Sequence, residues 1–305
     1  MHRHPEHTRR WKRPAVLAGM ATLGATALSG CGTADEFKRA YLPESVTENG
    51  DGIHTFWVGM WIAGMAIAVL VWALTAWCIV MYRRRHEDEV PKQVRYNVPI
   101  EILYTVVPIV MVAGLFVQNV KLENDLLNID EEPQNTVNVV GKQWSWDFNY
   151  LDDNVYETGQ QAVLTGKDGV AESLPTLYLP VNERTEFVLT TRDVIHSFWV
   201  PQFLQKLDMI PGRVNRFQVV PTEEGTYQGK CAELCGAYHA EMLFQVKVVS
   251  REEYDKQMQA LEDEGQTGFL NEQYDRKELI NGEPAVEDRD PGHNDWMLQG
   301  GKDEN

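Results

Sequence analysis

A two-helix transmembrane hairpin followed by an all-β sandwich domain is the architecture this sequence predicts, and three observations predict it. Two apolar runs of membrane-spanning length lie before residue 121, three consecutive arginines follow the first of them, and short strand-like runs fill much of the remainder. The chain-average hydropathy resembles that of a soluble protein, but the average hides these local extremes. A chain of 305 residues has room for one sizeable domain with accessory segments around it.

Each span follows from its composition. No charged side chain occurs from His54 to Val80, and the run closes on Arg83, Arg84 and Arg85. At about 1.5 Å per residue it exceeds the ~30 Å hydrocarbon core, which assigns a first transmembrane helix to residues 54–82. Ile100–Val120 contains a single charge, Glu101, and assigns a second to residues 99–120. Asn97, Pro99 and Glu101 form a helix start: a capping amide, a proline tolerated in the first turn, and an acid close behind. Pro108 predicts a kink within the second span. The arginines keep the loop at 83–98 cytoplasmic, so residues 31–53 and everything after residue 120 lie on the outer face of the cell membrane. Glu101 has two readings, as an acid complementing the helix dipole and as an ionisable group feeding protons to a partner.

Residues 1–30 read as an export signal. Arg9, Arg10, Lys12 and Arg13 precede an apolar run, Ala15–Leu28, that is too short to span a bilayer comfortably. Leu28-Ser29-Gly30-Cys31 resembles the bacterial lipoprotein cleavage box, which would make Cys31 the lipidated first mature residue. The alternative is an ordinary signal with an incidental cysteine.

From residue 121 to 250 the strand candidates are Thr136–Val140, Trp144–Tyr150, Thr176–Leu179, Glu186–Thr190, His196–Val200, Val214–Val220, Thr226–Cys231 and Phe244–Val249. Gly166, Asp168-Gly169, Pro180, Pro211-Gly212, Pro221 and Gly225 separate them, a spacing that suggests a sandwich. The polar connection from Tyr150 to Thr176 has room for a small hairpin at Val163-Leu164-Thr165 and Gly169-Val170. Residues 251–305 read as a short helix, Arg251–Glu264, and an acidic tail. Charge divides unevenly: residues 1–120 hold 12 Lys/Arg against 10 Asp/Glu, and residues 121–305 hold 16 against 35. Such a field repels nucleic acid; it either attracts a cationic protein or simply keeps the exported domain soluble.

The stretch that carries chemistry is Cys231-Ala-Glu-Leu-Cys235-Gly-Ala-Tyr-His239-Ala-Glu-Met242. Two thiols, an imidazole and a thioether fall within one short loop between predicted strands. Thiolate and thioether donors select copper and other soft metals, and imidazole suits copper, zinc and iron. Gly236 permits a tight path bringing Cys235 and His239 together. A structural disulfide would leave the His and Met unexplained; a zinc site would not use the Met; and His239 and Met242 could be packing residues. The residues alone establish a soft-metal site.

This stretch resembles the binuclear copper A motif, Cys-x-Glu-x-Cys-x-x-x-His-x-x-Met, of subunit II of haem–copper cytochrome c oxidases. Upstream, Asp193-Val-Ile-His196-Ser-Phe-Trp-Val-Pro201, Lys206-Leu-Asp-Met-Ile-Pro-Gly-Arg213 and Gly141-Lys-Gln-Trp144-Ser-Trp146 match that family's other runs in order. With the hairpin, the resemblance covers roughly residues 45–260. It implies a cupredoxin-like sandwich in which Cys231 and Cys235 bridge two coppers and His196 and His239 each bind one. Met242 and the Glu233 backbone carbonyl would supply axial contacts, and the Glu233 carboxylate would reach a magnesium ion shared with subunit I.

Trp144 aligns with the surface aromatic through which electrons pass inward; otherwise it is an ordinary core or rim tryptophan. Glu101, with Ile102-Leu-Tyr-Thr105 and Pro108, resembles the glutamate at the mouth of a proton-uptake path. The function implied is the electron-transfer subunit of an aa3-type terminal oxidase. Such a subunit takes electrons from cytochrome c and passes them to haem in subunit I, where oxygen is reduced to water with proton pumping. Partners implied are oxidase subunits I and III. Ser145 replaces an aromatic common in relatives, and Arg192, beside Asp193, replaces a frequent second acid. The lipobox, the connection after Tyr150 and the acidic tail resemble actinobacterial versions. In those the electron donor is expected to be a membrane-held c-type cytochrome of a quinol-oxidising complex, joined in a supercomplex.

Overall fold

The computed structural model describes residues 32–84, 93–162, 173–270, 279–280 and 283–284. The expected export signal, Cys31, the middle of the loop expected to be cytoplasmic, the hairpin expected after Leu151 and most of the tail lie outside the described residues. The chain divides into two units, Met1–Leu42 and Pro43–Asn305. Within the first, α1 (Ala34–Lys38) starts at a capping box in which Thr33 and Glu36 each bond the other's backbone N–H.

The second unit opens with α2 (Gly50–Met81) and α3 (Val98–Leu126), two helices long and apolar enough to cross a membrane. Their apolar side chains are exposed along most of both helices, a surface no water-soluble packing satisfies. The first helix begins at Gly50, ahead of His54, with Asp51 placed favourably in its first turn. The second continues past Val120 to Leu126, because Lys121-Leu-Glu is good helix-forming sequence even though it is polar. Asn97 caps α3, and Glu101 accepts from the Asn97 N–H at 2.8 Å, so the acid closes the helix start.

Among the described residues ten strands build the sandwich: β1 (Asn135–Lys142), β2 (Ser145–Tyr150), β3 (Val155–Thr158), β4 (Thr176–Pro180), β5 (Thr185–Thr191), β6 (His196–Val200), β7 (Gln205–Met209), β8 (Asn215–Val219), β9 (Gly225–Cys231) and β10 (Leu243–Val249). They form two five-stranded sheets, ordered β3-β2-β1-β5-β8 and β4-β10-β9-β6-β7. Pairing is antiparallel except for β1 with β5 and β4 with β10. Between the sheets Trp146, Phe148, Phe187, Phe198, Phe217 and Phe244 form a fully buried aromatic core, with the Phe198 and Phe244 rings stacked at 5.1 Å.

The sequence reading omits β3 and β7. The first is a four-residue edge strand inside a polar connection, and the second alternates Gln-Lys-Leu-Asp-Met and stands out only once paired to β6. Trp144, expected to begin a strand, lies instead in the turn between β1 and β2. After β10, Ser250 caps α4 (Arg251–Asp263), which buries Tyr254, Met258 and Leu261 at helical spacing against the core. The Gln205 side chain donates to the Leu126 carbonyl at 3.2 Å and the Val46 N–H to the Gln202 carbonyl at 3.1 Å, which ties the sandwich to the helix ends. A short antiparallel pair, Leu279–Ile280 with Glu283–Pro284, follows farther along the chain.

Candidate metal centre

One end of the second sheet assembles the donors. β6 begins with His196 and β9 ends with Cys231; Phe198 pairs with Cys231 across the two strands. The chain then loops through Cys235, makes a 3-10 turn at His239–Glu241, and enters β10 just after Met242. The Cys231 N–H donates to the Met242 carbonyl at 3.0 Å, which draws the two ends of the loop together.

The six expected donors form a continuous set of contacts. Cys231 Sγ lies 3.8 Å from His196 Nδ1, 3.9 Å from Cys235 Sγ and 3.2 Å from the Glu233 carbonyl. Cys235 Sγ lies 3.6 Å from His239 Nδ1 and 3.8 Å from Met242 Sδ. The sulfurs are unbridged. Ligand atoms of His196, Cys231 and Cys235 all fall within 4.8 Å of one another, spacing suited to a shared metal. His196, Cys231, Cys235 and Met242 are buried, His239 is half-buried and the Glu233 side chain is exposed. Two thiols with two imidazoles, a thioether and a carbonyl make a donor set that fits copper.

A layer of hydrogen bonds orients these donors. Asp193 Oδ1 lies 2.8 Å from His196 Nε2, leaving Nδ1 directed at Cys231. The other Asp193 oxygen accepts from the Gln143 N–H at 2.7 Å. The Cys235 carbonyl accepts from Gln143 Nε2 at 2.8 Å and from the Trp144 indole at 3.2 Å, and the Met242 carbonyl accepts from the buried Trp146 indole at 3.3 Å. Half-buried Trp144 meets Tyr238 edge-on, ring centroids 4.8 Å apart. Gly236 has φ +123°, and a Cβ there would sit 3.1–3.2 Å from the Trp144 ring and the Gln143 amide. Asp193 and Gln143 orient the donors although their sequence runs alone give them no role; the three-residue spacing of Asp193 from His196 is the local signal for the first.

Titration follows from this packing. Burial pushes the Cys231 thiol up, but bonding to His196 and the loop backbone prevails and brings it to about 7. Burial and the neighbouring Cys231 charge push Cys235 to about 12. Burial opposes the charged form of His196, yet Asp193 and Cys231 hold it above its ordinary value. Burial would raise Asp193, but bonds from His196, Gln143 and Val194 hold it below its ordinary value. Binding of a metal cation therefore has to displace the proton that burial and the Cys231 charge hold on Cys235.

Glu101 stands apart from this centre, at the opposite end of the 29-residue α3 from the sandwich-linked Leu126.

Comparison with known proteins matches residues 135–249 to the family described as cytochrome c oxidase subunit II, periplasmic domain. The chain is 44% identical over 285 residues to a probable cytochrome c oxidase subunit 2 of Streptomyces coelicolor, covering 84% of this chain and 88% of the relative. This chain belongs to the cytochrome c oxidase subunit II family. A cytochrome c oxidase subunit 2 of Corynebacterium glutamicum is 33% identical over 305 residues, covering 82% and 85% of the two chains. The solved periplasmic domain of cytochrome oxidase subunit II of Bradyrhizobium japonicum is 30% identical, with a TM-score of 0.40, covering 44% of this chain and 97% of that one. Membership makes the protein an electron-transfer subunit of a haem–copper terminal oxidase, with two apolar helices and a cupredoxin-like β-sandwich. The His–Cys–Cys group lies within the matched region.

Proposed function

We propose that this chain holds the binuclear copper A centre of the oxidase, taking electrons from a cytochrome c and delivering them to haem in subunit I. The observation that carries this reading is the unbroken contact set from His196 through Cys231 and Cys235 to His239 and Met242, with the Glu233 carbonyl against Cys231. When bound, the metal pair supplies a one-electron site with charge shared over both coppers. The chain's own residues hold that site rigid. The thiols of Cys231 and Cys235 and the imidazoles of His196 and His239 would hold the metal pair, with Met242 and the Glu233 carbonyl as its weaker donors.

Trp144 is the aromatic through which electrons pass inward, a role supported by its partial exposure and its indole bond to the Cys235 carbonyl. The exposed Glu233 carboxylate suits magnesium shared with subunit I, since a hard cation seeks oxygen. Glu101 stands at the mouth of a proton path that serves oxygen reduction and proton pumping in the partner. Residues 1–30 are a lipoprotein signal with Cys31 lipidated, and the hairpin sets the sandwich on the outer face of the cell membrane. Subunits I and III assemble on it, and a membrane-held c-type cytochrome of a quinol-oxidising complex donates electrons to its acidic exterior.

Electron paramagnetic resonance of the purified, copper-loaded chain tests this reading. A hyperfine pattern from one electron shared equally by two coppers is expected; a mononuclear signal, or none, overturns it.

A further inference from the structure

Arg192 stands at the end of β5, immediately before the aspartate that bonds the His196 ring. Its backbone N–H donates to the Gly141 carbonyl at 3.0 Å. Gly141 in turn backs the imidazole: a Cβ there would lie 2.9 Å from His196 Cδ2. The Arg192 guanidinium is held from two sides. Nη1 lies 3.0 Å from Oδ2 of Asp147, a fully buried carboxylate whose other oxygen takes Lys142 at 2.6 Å and Thr158 at 2.7 Å. Nη2 donates to the Leu270 carbonyl at 3.4 Å. A buried carboxylate met by two cations and a hydroxyl is held firmly in place, because moving it away from them would leave buried charges without their partners.

Leu270 belongs to a strap that follows α4. The Tyr156 N–H donates to the Gln266 carbonyl at 3.0 Å, and the Gly268 N–H to the Asn154 carbonyl at 2.8 Å. The Leu270 N–H donates to Asn149 Oδ1 at 3.0 Å, and Asn149 itself bonds the buried Asn138 at 3.0 Å. Residues 266–270 therefore cross from the β3 edge over buried polar side chains of the first sheet and end on Arg192. Both backbone groups of Leu270 are engaged, one on β2 and one on the residue beside Asp193.

We propose that the Gln266–Leu270 strap and Arg192 form a positioning device for the metal centre. The strap fixes Arg192; Arg192, anchored also by Asp147, fixes the junction of Gly141 and Asp193; and that junction sets the His196 ring. The inference rests on the copper reading above. It gives a structural role to a segment beyond the sandwich and to the arginine that departs from the family's usual acid. Both Arg192 and the strap act through Asp193 and His196, without touching the metal.

The test uses the assembled oxidase carrying Arg192→Met, Arg192→Lys, a chain ended before Gln266, and a chain ended after Leu270. Copper potential, hyperfine pattern and copper loss to a chelator are measured in each. Arg192→Met and the shorter truncation should shift the potential in the same direction and speed copper loss on the order of tenfold, the low end for outer contacts to metal ligands. Arg192→Lys should restore part of the shift, and the chain ended after Leu270 should match the wild type. Wild-type values in Arg192→Met, or identical behaviour of the two truncations, overturn the inference. Should Arg192→Met fail to assemble, the truncation pair decides alone. A wild type lacking the paired-copper signal defeats the copper reading and this inference with it; a normal wild type with unmoved variants defeats only this inference.

Discussion

The indole N–H of Trp144 donates to the backbone carbonyl of Cys235 at 3.2 Å, joining a partly exposed aromatic to a buried cysteine through one hydrogen bond. Gln143 shares that carbonyl at 2.8 Å, so removing the indole leaves the acceptor satisfied. Trp144→Phe should therefore cost only about 1 kcal/mol of stability, keep both coppers, and slow reduction by cytochrome c. Stopped-flow reduction beside a copper assay checks this. An unchanged rate would mean that electrons pass inward elsewhere.

Met242 is fully buried with Sδ 3.8 Å from Cys235 Sγ. Leucine fills nearly the same volume, so Met242→Leu should lose less than about 1.5 kcal/mol of stability. If the thioether is a weak donor to the metal pair, its loss should shift the potential while two coppers remain bound. Loss of both metals would show that Met242 is a principal ligand.

Gly236 combines φ +123° with a Trp144 ring that closes over its missing side chain. Gly236→Ala should cost about 1–3 kcal/mol through backbone strain and displace Trp144. Thermal unfolding of the metal-free chain reads the first effect and tryptophan fluorescence the second; a variant as stable as the parent contradicts the geometry.

Glu157 on β3 is held above the usual carboxylate range, chiefly by burial and further by Glu264, against the opposing Thr176 N–H and Lys247. Below pH 4.5, its unfolded value, the group is protonated in both states and carries no penalty. As pH rises through the higher folded value, ionisation costs more in the folded chain, so stability falls. Glu157→Gln should be more stable than the parent at neutral pH and gain nothing below about pH 4.5. Melting temperatures measured from pH 4 to 8 decide it, and a constant difference across that range would refute the assignment.

Much of the architecture was legible because its signals are local. Apolar runs bounded by Arg83–Arg85 and by the Asn97–Glu101 start announce helices without tertiary knowledge, and alternating runs such as Val137–Val140 announce strands. Strands β3 and β7 escaped because the first sits at a polar edge and the second is defined by its partner. In the loop after β9, residue type and spacing alone pointed to a soft-metal site.

By itself, then, the sequence determined which atoms are available: Cys231, Glu233, Cys235, His239 and Met242 within one loop, and His196 far upstream. Only the tertiary structure decided that His196 Nδ1 reaches Cys231, since β6 and β9 are distant in sequence and adjacent only as hydrogen-bonded strands. It also decided which residues orient the donors, Asp193 on His196 and Gln143 with Trp144 on Cys235. Donor chemistry is a property of single side chains and survives in a string of letters. Orientation depends on long-range pairing, and arises only when the two sheets close.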